Sequence, residues 1–221
     1  MRERPLLTIL ALVVASALCV VTVEVRIDRT GDPYYGFLVW NLFLAWVPFW
    51  LALAAFLRAR RRIDVVTAAL LVLWLLFFPN APYLLTDFVH LGTSPAAPVW
   101  YDALMLSAFA WTALLLGFAS LYLVQLVARR AAGRAWSWVV VVCALALASF
   151  GVYLGRFVRF NSWDALLRPG RVVDVIGSQL ENPFEHPLML VALVALTAFL
   201  LVGYGVLYGF ASMRLELERG E

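Results

Sequence analysis

Lysine is missing from this 221-residue chain: all 17 basic residues are arginine. Charge of either sign is scarce, with Asp, Glu, Lys and Arg together making only 14%. A soluble domain carries about 25% charged residues to build its polar shell, so a water-exposed globule is excluded. A disordered chain is excluded too, because such chains are poor in apolar residues and rich in charge. Cysteine occurs twice, at Cys19 and Cys143, each inside an apolar run. The two read as small buried hydrophobes, not as a disulfide scaffold or a metal pair. The two histidines, His90 and His186, have no zinc-like spacing, so no metal is expected. A nucleotide fingerprint, a phosphate loop and a nucleophile elbow are also missing, and no cofactor and no nucleic-acid partner are expected.

What is there is apolar. Hydrophobic residues make 64% of the chain and the mean hydropathy is +0.90. Six apolar segments stand out: Leu6–Val23, Phe37–Leu57, Val65–Phe78, Val99–Ala128, Trp136–Leu154 and Pro187–Phe210. A hydrocarbon core of about 30 Å needs about 20 helical residues, and five segments meet that within tilt and fraying. The expectation is an all-α polytopic membrane bundle of six spans in a single domain, about 6–23, 37–57, 63–78, 99–128, 136–155 and 187–210. The amino terminus admits two readings. Ala15-Ser-Ala17 resembles a signal-peptidase site, but the apolar run continues to Val23 and favours a retained anchor.

The loops set the expected orientation. Eleven arginines fall on one side: Arg2, Arg4, Arg58, Arg60, Arg61, Arg62, Arg129, Arg130, Arg134, Arg214 and Arg219. Six fall on the other: Arg26, Arg29, Arg156, Arg159, Arg168 and Arg171. The positive-inside rule then places both termini in the cytoplasm of a plasma membrane. Trp40 and Trp100 at one boundary and Trp136 and Trp138 at the other fit interfacial aromatic belts. The stretch Arg171–Leu180 has helix-like apolar spacing suited to the interface plane. Gly151-x-x-x-Gly155 and Gly205-x-x-x-Gly209 are notches for close helix packing, within the molecule or in a homo-oligomer.

The third segment is short. Residues 65–78 rise about 21 Å before reaching Pro79-Asn-Ala-Pro82, where two missing N–H donors oppose helix continuation. A broken or re-entrant outer end is expected, shielded by protein or lining a wet cavity. Beyond it lie Asp87 and His90, three apart and on one helical face, a general acid–base arrangement or simply two solvated residues. Asp102 opens the fourth span, where an acid also complements the helix dipole. Asn41 reads as interhelical glue in the second span. Gly155-Arg156-Phe-Val-Arg159-Phe-Asn161-Ser162-Trp163-Asp164 is the richest polar run, and its guanidiniums suit a phosphate or carboxylate, or interfacial snorkelling. His186 reads as a loop residue.

Several strings carry a resemblance: Phe78-Pro-Asn-Ala-Pro-Tyr83 with Thr86-Asp87 and His90-Leu91, then Trp100-Tyr101-Asp102, then Gly151-x-Tyr-x-Gly-Arg-x-x-Arg-x-Asn-Ser-Trp-Asp164. They resemble a bacterial family of multi-span membrane proteins, the domain of unknown function numbered thirteen sixty-one. The resemblance covers the chain from about the second span to the sixth. It implies a bacterial inner-membrane location and no particular activity.

The residues themselves suggest one outward-facing polar pocket. Asp87 and His90 are its candidate catalytic pair, and Asn80, Tyr83, Asp102, Arg156, Arg159, Asn161 and Asp164 are its candidate binding residues. Three classes of function follow. The first is a binding or accessory membrane protein whose pocket is a salt-bridge core. The second is an enzyme acting on a lipid-linked or envelope substrate at the outer leaflet. The third is a small transporter, disfavoured because the charges cluster at span ends. The expected partners are the lipid bilayer, an anionic lipid head group among its components, and a second copy of the chain.

Overall fold

The computed structural model describes residues 3–158, Gly170 and residues 187–217. Among these every regular element is a helix. They are α1 (Glu3–Thr30), a 3-10 turn (Tyr34–Gly36), α2 (Phe37–Ala59), α3 (Val65–Phe77), α4 (Asn80–Tyr83), a 3-10 segment (Leu84–His90), α5 (Val99–Tyr153), a π-helical turn (Leu154–Val158) and α6 (Pro187–Leu217). Five stretches are long and apolar enough to cross a membrane: Leu6–Thr30, Tyr34–Ala59, Val65–His90, Val99–Phe157 and Leu190–Ser212. The protein is therefore a multi-pass membrane protein. The expected interfacial helix over Arg171–Leu180, and His186, lie outside the described residues.

The expected fourth and fifth spans fall within α5, whose 55 residues would rise about 80 Å if straight, more than twice the hydrocarbon thickness. Gly133 interrupts it, with φ 88° and ψ 178°, values that only a residue without a Cβ adopts at no cost.

The chain divides into two compact units, Met1–Ser120 and Leu121–Glu221. In the first, α1 is tied to α2 where Trp46 Nε1 donates to Ser16 Oγ at 3.0 Å. It is tied to α5 where Tyr101 donates its hydroxyl to the Thr22 carbonyl at 2.8 Å and where Cys19 Sγ meets Thr112 Oγ1 at 3.5 Å. α3 docks through the buried Trp74, whose Nε1 donates to Ser120 Oγ at 3.1 Å and whose ring stacks on Phe78 at 4.6 Å.

The Pro79–Pro82 stretch keeps a helical path. Tyr83 N–H donates to the Pro79 carbonyl at 3.0 Å, and Asn80 Nδ2 donates to the Phe77 carbonyl at 2.8 Å. The Asn80 amide thus serves a carbonyl whose usual partner, the Ala81 N–H, has moved one residue on to Phe78. Ala81 itself is fully buried against α5.

In the second unit, α6 meets both limbs of α5 around Gly133. Tyr204 donates its hydroxyl to Gln125 Oε1 at 2.5 Å, and the Tyr208 ring lies 5.0 Å from Trp138 and 6.2 Å from Tyr122. Val141, Leu145, Ala148 and Val152 repeat at three- and four-residue spacing and are all buried. Cys143 corrects an expectation: Cys19 is buried but Cys143 is exposed. A lipid-facing helix surface is as apolar as a core, so an apolar run does not reveal burial. Gly205 and Gly209 face open space among the described residues.

At the end of the first unit where α2 passes into α3, Asp64 caps α3. Its carboxylate accepts from Arg58 Nε and Nη2 at 2.9 and 2.6 Å, from Thr67 N–H at 3.0 Å, and pairs with Arg62 Nε at 2.7 Å. The Arg58 guanidinium foremost, and then the Thr67 N–H, hold the Asp64 carboxyl well below the usual carboxylate range.

Two outcomes are expected. A Cβ at Gly117 would lie 2.9 Å from the Ala81 Cβ. Gly117→Ala should therefore destabilise the protein by about 1–3 kcal/mol, read as a lowered midpoint in denaturant unfolding of the purified chain. The depressed Asp64 carboxyl adds stability that is complete above the unfolded carboxyl value and lost as pH falls through the folded one. Acidification below about pH 4 should thus lower the melting temperature of the wild type more than that of Asp64→Asn.

Candidate functional site

Four elements converge at the other end of the first unit: the end of α1, the Tyr34–Gly36 turn with the start of α2, the Leu84–His90 segment, and the start of α5. α1 stops at Thr30, and the chain turns at Gly31, whose N–H reaches the Ile27 carbonyl at 2.7 Å. The turn brings Asp32 back beside Arg26. Arg26 is only 2% exposed although it lies in a stretch apolar enough to span a membrane.

An isolated guanidinium there would be very costly. Arg26 is instead saturated. Nε donates to Asp102 Oδ1 at 2.7 Å and Nη2 to Asp102 Oδ2 at 3.4 Å. Nη1 donates to the carbonyl and the Oδ2 of Asp32 at 3.3 and 3.2 Å, and Nη2 donates to Ser94 Oγ at 3.0 Å. Ser94 passes its own hydroxyl hydrogen to Asp32 Oδ2. The Tyr35 ring covers the guanidinium, with Cζ 4.6 Å from the ring centroid. The Ser94 hydroxyl foremost, with the Tyr34 N–H and Arg26, holds the Asp32 carboxyl below its ordinary value.

The tyrosine pair links this cluster to His90. Tyr35 donates its hydroxyl to the His90 carbonyl at 2.6 Å, and the Tyr34 hydroxyl lies 3.1 Å from His90 Nδ1. Phe37 adds an edge contact at 5.1 Å to the imidazole. Asp87, 1% exposed, accepts from Asn41 Nδ2 at 3.1 Å. Leu84, Asp87 and His90 share one face of the 3-10 segment, because that helix repeats every three residues.

The structure thus brings Asp102 to Arg26, Asp87 to Asn41, and His90 to Tyr34 and Tyr35. Asn80 is occupied with the Phe77 carbonyl, and Tyr83 is half-buried with its carbonyl accepting from Thr86 Oγ1 at 2.6 Å. Arg156 belongs to the second unit, half-buried in the π-helical turn. Arg159, Asn161 and Asp164 lie outside the described residues. No group of three or more His, Cys, Asp or Glu able to hold a metal occurs among the described residues.

Arg26, Asp32, Ser94, Tyr34 and Tyr35 were not among the residues singled out by sequence. Arg26 and Asp102 are 76 residues apart, so no local spacing points to the pair. The one signal was an arginine just past an apolar run, on the side where arginines are few. Asp102 was legible as a helix-start acid, and it serves there as the counter-ion as well.

Comparison with known proteins gives a family and nothing beyond it. The model of a family described as a protein of unknown function (DUF1361) matches residues 40–213. The chain belongs to that family. No curated protein and no solved structure matches it.

A double-mutant cycle measures the central pair. Arg26→Met should cost about 3–5 kcal/mol, because it leaves the buried Asp102 carboxylate unpaired, and Asp102→Leu should cost less, because Asp32 still faces the guanidinium. The double variant should recover a large part of the summed loss in unfolding from mixed micelles; strict additivity would show that the two charges are uncoupled.

Proposed function

We propose that the chain is a six-span protein of the plasma membrane with both termini in the cytoplasm, acting as a binding or accessory component rather than an enzyme. The sixth span comes from division of α5 at Gly133, and the orientation from the eleven-to-six arginine asymmetry. Of the two expected forms of the third span's outer end, the helical hydrogen bonds through Pro79–Pro82 favour a broken span over a re-entrant loop.

One observation carries the functional reading: the Arg26 guanidinium spends its donors on Asp102, Asp32 and Ser94 of its own chain. A group so engaged fastens α1, α5 and the two loops; it is not poised to receive a substrate. Asn80 and Tyr83, both half-buried, then shape an outward-facing polar surface beside this lock, for recognition. Arg156 and Arg159 are read as holding an anionic group on the second unit. A π-helical turn under Arg156 supports that role, since such turns are frequent at functional sites.

A second reading, an enzyme acting on a lipid-linked substrate at the outer leaflet, draws on one feature. The Tyr34 hydroxyl beside His90 Nδ1 fixes the orientation of an imidazole able to move a proton, and Asp87 is its companion on the segment face.

One substitution separates the two. His90→Ala should leave membrane abundance and the activity of the host pathway unchanged if the role is accessory. Loss of that activity at normal abundance would overturn the accessory reading in favour of the enzyme. Mass spectrometry of the molecules that co-purify with the wild type identifies the ligand class.

A further inference from the structure

The turn joining α2 to α3 lies at the opposite end of the first unit from Arg26 and plays no part in the reading above. Four arginines occur within five positions: Arg58, Arg60, Arg61 and Arg62. Asp64, the acid that pairs with them among the described residues, is already full. Oδ1 accepts from Arg58 Nε, Thr67 N–H and the Thr67 hydroxyl, and Oδ2 serves Arg58 Nη2 and Arg62 Nε. Arg60 and Arg61 are exposed, and neither pairs with an acid among the described residues.

Two features make this more than a solvated charge run. The first is rigidity. Asp64 pins both flanks of the turn, and the Arg61 and Arg62 N–H groups both reach back to the Arg58 carbonyl, at 2.9 and 3.1 Å. The backbone that carries Arg60 and Arg61 is therefore held in one tight turn instead of waving on a long loop. The second is depth. Leu57, Ile63, Val65 and Val66 surround the arginines and are 44–80% exposed. Apolar side chains in that position sit in lipid, which sets the arginines at the head-group level. A guanidinium forks onto two oxygens of a phosphate, so two exposed ones beside each other fit a phosphodiester.

We propose that this turn is a binding site for the phosphate of an anionic phospholipid, with Arg60 and Arg61 as its direct ligands and Arg58, Arg62 and Asp64 as the frame that positions them. The site is independent of the role assigned to the opposite end, and its failure would leave that reading untouched.

The full chain in detergent micelles is titrated with phosphatidylglycerol, phosphatidylcholine or soluble glycerol phosphate, with occupancy read by native mass spectrometry. Phosphatidylglycerol should bind the wild type more tightly than the other two. Arg60→Gln/Arg61→Gln should weaken it about 30-fold, since each arginine at a membrane surface contributes about 1 kcal/mol, or about five-fold. Arg29→Gln, an exposed arginine at the other end of α1, should change nothing.

Equal affinity of the double variant and wild type overturns the proposal, as does an equal loss in Arg29→Gln. Binding of glycerol phosphate as tight as that of the lipid overturns the assignment to a membrane lipid. Should the glutamine variant fail to accumulate, Arg60→Lys/Arg61→Lys keeps the charge that sets topology and should lose affinity several-fold. Unchanged affinity there overturns the guanidinium assignment.

Discussion

A buried guanidinium governs this structure. Arg26 sits 2% exposed in a helix otherwise fit for lipid, and that position is tenable only with carboxylates beside it. Asp102 supplies one from the first turn of α5, and Asp32 supplies another from the loop after α1. Meeting that demand joins the end of α1, the loop before α2, the loop after the 3-10 segment and the start of α5. Tyr35 then carries the connection to His90.

The rest of the first unit is held by small polar contacts in an apolar setting. Trp46 to Ser16, Trp74 to Ser120 and Tyr101 to the Thr22 carbonyl each join two helices by one hydrogen bond. Lipid gives helices no hydrophobic reason to prefer one another over acyl chains, so such contacts and close backbone approach decide which faces meet. Gly117 under Ala81 is the approach that seats the Pro-Asn-Ala-Pro stretch. The two ends of the unit differ in kind. One consumes its arginine internally, while the other leaves Arg60 and Arg61 turned outward.

Much of the fold could be read in advance. Composition gave the membrane class, and apolar run lengths gave the helices. The Asp87–His90 spacing gave a shared face, because residues three apart align on an α-helix and on the 3-10 helix that forms there. Other features were not legible. The proline break kept its helical path because the Asn80 side chain serves the Phe77 carbonyl, a local repair that proline spacing does not announce. Cys143 was misjudged because an apolar run reads the same whether it faces lipid or protein.

Sequence by itself determined that this chain enters a membrane, roughly where it crosses, and where charge is scarce. These are properties of composition and periodicity, which act through the solvent on each segment alone. Only the tertiary structure decided that Arg26 belongs with Asp102, 76 residues away, and that Asp64 is filled while Arg60 and Arg61 pair with no acid among the described residues. Pairing of buried charges depends on which helix ends meet in space, and no single segment holds that information.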